Sequence, residues 1–207
     1  NMFEVSMAMQ SMSESVLVNI KRSNIKLDHM VEINKDLRKQ GRVTSTELIV
    51  PLPGETKQSF INGLNNVINS GVSRVITYTL MMLHGTHFKL PDYRKQFKYL
   101  TKFRIVPLNF GEYNGQKIFD YEEAGVGTKD LSFDDYLNIR VLALFVETLH
   151  NGKPFEEFFK YAKFYNIQAA TLLQILYDNL SEAPKDVQSI VQEFLKETQS
   201  ELWDTEK

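Results

Sequence analysis

Cysteine is absent from the sequence. That excludes disulfides, thiolate nucleophiles, zinc fingers and any cysteine-ligated iron–sulfur cluster built from these residues. An excess of one charge sign is missing too: 24 Lys and Arg stand against 26 Asp and Glu, a net charge of −2. No global basic field advertises a nucleic-acid partner. No run approaches the roughly 18 apolar residues of a membrane-spanning helix, and no secretory leader pattern opens the chain. Neither nucleic acid nor a membrane is therefore expected as a partner, and the expected location is cytoplasmic. What is present is ordinary globular composition, 43% hydrophobic and 24% charged, over 207 residues. That length can bury a sizeable core in one or two domains.

The opening, Asn1 to Ser6, moves at once into an apolar strand pattern, without the cap or polar tail that usually begins a domain. Met2 is compatible with a start. The sharper expectation is a piece cut from a longer chain.

Phe3 to Met9 reads as a short buried strand. Ser13 and Glu14 start a helix whose apolar face is Val16, Leu17 and Ile20, and a second helix runs from Leu27 to Gln40 before Gly41. Thr44 to Val50 is β-branched and apolar and ends at Pro51-Leu52-Pro53-Gly54, a buried parallel strand leading into a loop. Thr56 can cap the next helix, whose face is Phe60, Leu64, Val67 and Ile68. Val72 to Leu83 is a third strand. Strand and helix alternating at this spacing imply right-handed βαβ units and a parallel sheet. Three strands make at most a half-barrel or a small open sheet, since a complete eight-fold barrel needs about 250 residues.

Beyond residue 90 the pattern changes. Arg104 to Val106 and Gln116 to Val126 read as extended, joined through the turn signal Tyr113-Asn114-Gly115-Gln116. From Ser132 onward everything reads as helical: a Ser132/Asp135 capping box, the deeply apolar Val141 to Val146, a break at Asn151-Gly152-Lys153-Pro154, then Phe155 to Tyr165, Gln168 to Leu180, and Asp186 to about Trp203. The boundary between the two parts falls between Gly85 and Asp92, giving an α/β unit over 1–88 and a hairpin plus mostly helical subdomain over 89–207.

In α/β architectures ligands bind at the carboxyl ends of parallel strands. Gln10-Ser11, Glu47 to Gly54 and Met81 to Thr86 fall there. Gln10 offers donors and an acceptor, whereas Glu47 only accepts. A carboxylate within an apolar strand needs a partner, which a neighbouring basic residue or a ligand hydroxyl can supply. Arg22 can clamp a carboxylate bidentately or stand as a solvated helix end.

The run Gln10 to Asn24, with its Gln-Ser turn followed a helix later by Arg22, resembles the fourth strand and following helix of radical S-adenosylmethionine (radical SAM) enzymes. Thr46 to Thr56, with Glu47 leading into Leu-Pro-Gly-Glu-Thr, resembles their fifth-strand motif, and the stretch ending Leu83-His84-Gly85-Thr86 fits the sixth. The resemblance covers about residues 3 to 87. Arg104 to Pro107, Tyr113 to Gly115, Glu122-Glu123 and the helical end look like the C-terminal extension of the type with an upstream cobalamin-binding domain.

The resemblance implies the C-terminal portion of a partial (β/α) TIM-like barrel. It implies that Gln10 and Glu47 reach the ribose of S-adenosylmethionine, that Arg22 reaches the methionine carboxylate, and that Met81 or Met82 lies against the adenine. The implied chemistry is cleavage to a 5′-deoxyadenosyl radical that abstracts hydrogen from an unidentified small-molecule substrate. Two departures stand out. Pro51 occupies a position where the family usually has Gly. The family's three cysteines, which ligate a four-iron, four-sulfur cluster, are missing, so the cluster ligands are expected outside this chain and the chain alone is expected to be inactive. Cobalamin is a further cofactor of the longer parent if it carries that domain. A truncated barrel exposes its inner face and a strand edge, so self-association is expected. The alternative, from another class, is a non-enzymatic helical interaction module with a vestigial α/β segment.

Other features are weaker. His84 and His87 lie three apart with no third metal ligand. Glu122-Glu123 resembles an acid/base pair, but neighbours on a strand point to opposite faces, so one is expected to be solvated. Gly125-Val126-Gly127-Thr128 is too short for a phosphate loop. Phe155, Phe158, Phe159, Tyr161, Phe164 and Tyr165, interleaved with Lys153, Lys160 and Lys163, can stack on nucleic acid. Core packing with solvated lysines is the expected outcome.

Overall fold

The structure, a computed structural model, describes residues 5–205, excluding the side chains of 107 and 108. Strands β1 (Val5–Ser6), β2 (Thr44–Val50) and β3 (Arg74–Thr79) form a parallel sheet in that order. Helices α1 (Glu14–Asn19) and α2 (Leu27–Lys39) connect β1 to β2, and α3 (Lys57–Asn69) connects β2 to β3. The α/β class with parallel strands is therefore as the alternation predicts.

β1 is shorter than the sequence pattern suggests; of the expected strand, Phe3 and Glu4 lie outside the described residues. Its ladder breaks at Met7. There the Thr46 hydroxyl donates to the Met7 carbonyl at 2.5 Å, taking the place of a backbone amide. The chain rejoins the sheet at Gln10, whose amide donates to the Glu47 carbonyl at 2.9 Å and whose carbonyl accepts the Ile49 amide at 2.8 Å.

On β2 the side chains alternate cleanly. Thr46, Leu48 and Val50 are buried, and Leu48 and Val50 share a core with Phe60, Leu64 and Val67 of α3. Glu47 and Ile49 face the other way and are only half-buried. Period-two alternation therefore sorts the helix-covered face from an open one. Thr56 caps α3 through a reciprocal box with Ser59, as the sequence suggests. At its far end Gly71 has φ +83°, and a Cβ there would lie 1.9 Å from the Arg38 guanidinium, which donates to the Gly71 carbonyl at 3.0 Å. The positive φ favours glycine there, and any side chain would also have to displace the end of Arg38.

A 3₁₀ turn (His87–Lys89) and helix α4 (Pro91–Phe97) follow, where the sequence reading placed no helix. Pro91 at the first helical position was the available signal. Strands β4 (Leu100–Tyr113) and β5 (Gln116–Gly127) form an antiparallel hairpin, much longer than expected on its first arm. Asn114 and Gly115 both have positive φ, as a two-residue hairpin turn requires. The tip of β5 is exposed and its root buried. That root pairs with the end of β3: the Gly125 amide donates to the Leu80 carbonyl and the Met82 amide to Glu123, both at 2.8 Å.

Helix α5 (Phe133–Phe145), capped by Ser132 and Asp135, runs on as a π-helical turn (Val146–His150). Asn151 then docks side-on to β3. Its amide donates to the Val75 carbonyl at 2.8 Å and its Oδ1 accepts the Val75 amide at 3.0 Å. Helices α6 (Glu156–Phe164), α7 (Ala169–Asp178) and α8 (Lys185–Ser200) complete the chain. One core joins Leu48, Val50 and Val75 to Tyr136, Leu142, Leu173 and Val191, so apolar packing is continuous across residue 88.

The expected core packing of the α6 aromatics does not occur. Phe155, Phe158, Tyr161, Phe164 and Tyr165 are each half-exposed or more, and Phe159 alone of the six packs against the core. The helix turns only Phe159 and the small Ala162 inward, so its other rings stand in solvent.

Candidate functional site

The loops after β1 and β2 are built around a buried carboxylate. Glu55 is 1% exposed; it accepts the Ser11 hydroxyl at 2.6 Å on one oxygen and the Ser59 hydroxyl on the other. Burial pushes its carboxyl above the ordinary range, and the two hydroxyls pull it back. The Ser11 hydroxyl also accepts the Ser13 amide at 3.1 Å, and its carbonyl accepts Asn24 at 2.6 Å. Glu55 thus ties the Gln10-Ser11 turn to the start of α3. Beside it, Asn19 at the end of α1 donates to the Pro53 carbonyl at 2.8 Å. Gly54, at φ +87°, leaves the space this amide fills: a Cβ would sit 2.7 Å from Asn19 Nδ2.

On this frame stand the residues singled out from the sequence. Gln10 has φ +58° and a half-buried side chain, and its backbone pairs with Glu47 and Ile49. Glu47 lies on the open face of β2, opposite Ile76 of β3 in the register. Among the described residues its carboxylate has no ion pair, so the basic neighbour that the sequence allowed for is absent. Arg22 is exposed and donates to the Ala8 carbonyl at 3.0 Å, leaving the rest of its guanidinium fork unused by any carboxylate among the described residues. The backbone thus sets Gln10 beside Glu47, and Arg22 reaches back to Ala8, two residues before Gln10. The two methionines lie one strand further and separate from each other. Met81 is 38% exposed in a bridge to Ala124, whereas Met82 is buried with Val16, Leu52 and Leu80. Of the pair, only Met81 presents surface to a ligand.

Glu122 and Glu123 are both paired, and neither is solvated as expected. Glu122 accepts Arg104 at 2.6 Å, and Glu123 accepts Lys89 and Arg94, each at 2.5 Å. The reason is that both faces of the hairpin root are covered, one by α4 and the turn before it, the other by the end of α8, whose Glu201 also lies 3.5 Å from Arg104. Burial alone would raise the Glu123 carboxyl, but hydrogen bonds from Arg94, Lys89 and Thr101 hold it down at about 2.

Sequence reasoning missed Glu55 as a structural centre, the Lys89–Glu123–Arg94 cluster and the strand-capping Asn151. The first carried a weak signal, an acid between a Pro-Gly turn and a helix cap. The other two depend on partners up to 76 residues away and carried none.

The donor set suits a ligand with hydroxyls and a carboxylate: an acceptor at Glu47 without an ion pair among the described residues, a guanidinium at Arg22 that spends one donor on Ala8, and an accessible thioether at Met81. It does not suit a metal cluster. The chain has no cysteine, and among the described residues no group of three His, Cys, Asp or Glu is placed to hold a metal ion.

No family model matches the chain. It is 31% identical over 93 residues to the cobalamin-dependent radical SAM methyltransferase TokK of Streptomyces tokunonensis; that stretch is 44% of this chain and 14% of the relative. Among solved structures, it is similar to coproporphyrinogen III oxidase (HemN) from Escherichia coli, described as a radical SAM enzyme. The TM-score is 0.34 with 24% identity, covering 36% of this chain and 17% of that one. The sequence likeness supports a distant relation to the radical SAM superfamily.

Proposed function

We propose that the chain is a portion of a radical SAM enzyme, the C-terminal strands of a partial TIM-like barrel, and that its open sheet face binds S-adenosylmethionine. Glu47 and Gln10 hold the ribose hydroxyls, Arg22 holds the methionine carboxylate, and Met81 lines the adenine in preference to the buried Met82. The observation that carries this reading is Glu47, a half-buried carboxylate without an ion pair among the described residues, set beside the Gln10 turn. The likeness to TokK supports it, and makes a cobalamin-dependent parent the subtype to test first. Bound S-adenosylmethionine supplies the radical chemistry. The cluster that would start that chemistry does not fit these residues, so no catalytic step is assigned to them and the chain alone is expected to be inactive.

Calorimetric titration of S-adenosylmethionine into the chain tests the reading. Weak saturable binding is expected, reduced about tenfold or more by Arg22→Ala or Glu47→Ala, as loss of a charged hydrogen bond implies. Binding that ignores both substitutions, or no binding at all, removes the assignment. The second reading, an interaction module, draws on the solvent-facing aromatics of α6 and gains if no binding is seen.

A further inference from the structure

A feature that the site above does not use lies at the other end of the sheet. A cavity of about 580 Å³ opens where Gly71 and Val72 lead into the amino end of β3, away from the strand ends that carry Gln10 and Met81. Its volume falls within the roughly 300–1,000 Å³ of small-molecule sites. α6 forms one wall and the Asn166–Ala169 segment ahead of α7 another.

The charge of this cavity is one-sided. Arg38, Lys153, Lys160 and Lys163 line it against a single acid, Glu156, which with His150 neutral gives 4 − 1 = +3. Glu156 lies 3.4 Å from Lys160 and 3.7 Å from Lys153, and Lys160 also reaches Glu157, outside the lining, at 2.8 Å. Arg38 and Lys163 have no ion pair among the described residues. Arg38 spends one donor on the Gly71 carbonyl and keeps the others. His150 is packed edge-on against Phe159, and burial, more than any neighbour, holds its pKa below the ordinary value, so it adds no charge at neutral pH. The start of α7 adds little, because Asn65 Oδ1 already accepts the Ala170 amide at 2.8 Å. The positive field therefore comes from side chains. Between these cations Ile68, Val72, Phe159 and Ile167 give the lining an apolar part, beside the polar Asn69, Asn166 and Gln168.

We propose that this cavity binds a small amphiphilic organic anion, its acidic group held by Arg38, Lys153 and Lys163 and its apolar body laid on Ile68, Val72 and Phe159. The pairing of a rim of net positive charge with apolar lining residues fits neither a bare inorganic anion, which would leave the apolar lining wet, nor a neutral hydrophobe, which would leave the charges of Arg38 and Lys163 unmet. The site is independent of the S-adenosylmethionine reading.

Fluorescence titration with 1-naphthyl phosphate and 1-naphthoate tests it on the intact chain, with inorganic phosphate and 1-naphthylmethanol as comparison probes. Saturable one-to-one binding of at least one naphthyl anion is expected, about tenfold tighter than either comparison probe. The stronger of the two anions identifies the acidic group. Lys163→Gln is expected to weaken binding about tenfold, Lys163→Arg to restore most of it, and Lys117→Gln on the distant hairpin to change nothing. Thermal melts of each variant separate lost binding from lost fold. The proposal is overturned by equal binding of naphthylmethanol or inorganic phosphate, by indifference to Lys163→Gln, or by no saturable binding of either anion.

Discussion

Glu55 shows how one side chain can set a loop. Its carboxylate is the common acceptor for hydroxyls from two segments, so removing it leaves the buried Ser11 without its acceptor and Ser59 with only the Thr56 carbonyl at 3.1 Å. Glu55→Ala is expected to cost about 2 kcal/mol and Glu55→Gln clearly less, because an amide oxygen still accepts one hydroxyl. For a chain of this size that is a fall in Tm of roughly 4–8 °C for the alanine variant. The sign of the pH dependence follows from the raised pKa. The folded protein holds this proton more tightly than the unfolded chain does. The contribution is therefore fullest below the ordinary carboxylate range and declines as pH rises through the raised folded value. Melts of the Gln variant, compared with the parent across that range, should lack this decline. Residues of this kind were the least legible in the sequence. The caps at Thr56 and Ser132 could be read because their partners lie three positions away. Ser11 and Glu55 lie 44 apart, and nothing local announces that they meet.

At the scale of elements, periodicity identified β2, α3 and α5 because each buries one patterned face or is buried all round. It failed where an element is held by its neighbours. β1 is cut short by the Thr46 hydroxyl, α4 is a short helix fixed through Arg94 and Glu123, and α6 carries aromatics with almost nothing to pack against. The docking of α4 on the hairpin root predicts an acid-sensitive step. Glu123 is held at about 2, so its contribution is full above the ordinary carboxylate range and is lost as pH falls toward that value. Arg94→Ala should move the Glu123 carboxyl titration upward, read by carbon-detected NMR, and cost about 2 kcal/mol at neutral pH. An unshifted titration would show that Lys89 alone suffices.

For the whole molecule, the open face is the property that matters for behaviour in solution. Tyr78, Met81 and Leu83 stand exposed on and just beyond β3, near the half-buried Ile49. Such a patch favours contact with a second apolar surface. Sedimentation velocity is expected to show concentration-dependent association, and Tyr78→Lys to suppress it. A single monomeric species over a hundredfold range of concentration counts against this. The βα alternation was plain in the sequence, yet the way the hairpin closes on β3 was not, because it depends on pairing between residues 80–82 and 123–125.

That closure gives the sheet a direction of growth. Asn151 occupies the hydrogen-bonding groups at the start of β3, and the hairpin root occupies those at its end. A fourth strand, whether from this polypeptide or another, meets occupied groups at both ends of that margin, which favours the margin along Val5 and Ser6. A strand added there arrives beside the Gln10 turn and comes to border the Glu47 face. The margin left more open is thus the one that borders Glu47, a carboxylate without an ion pair among the described residues.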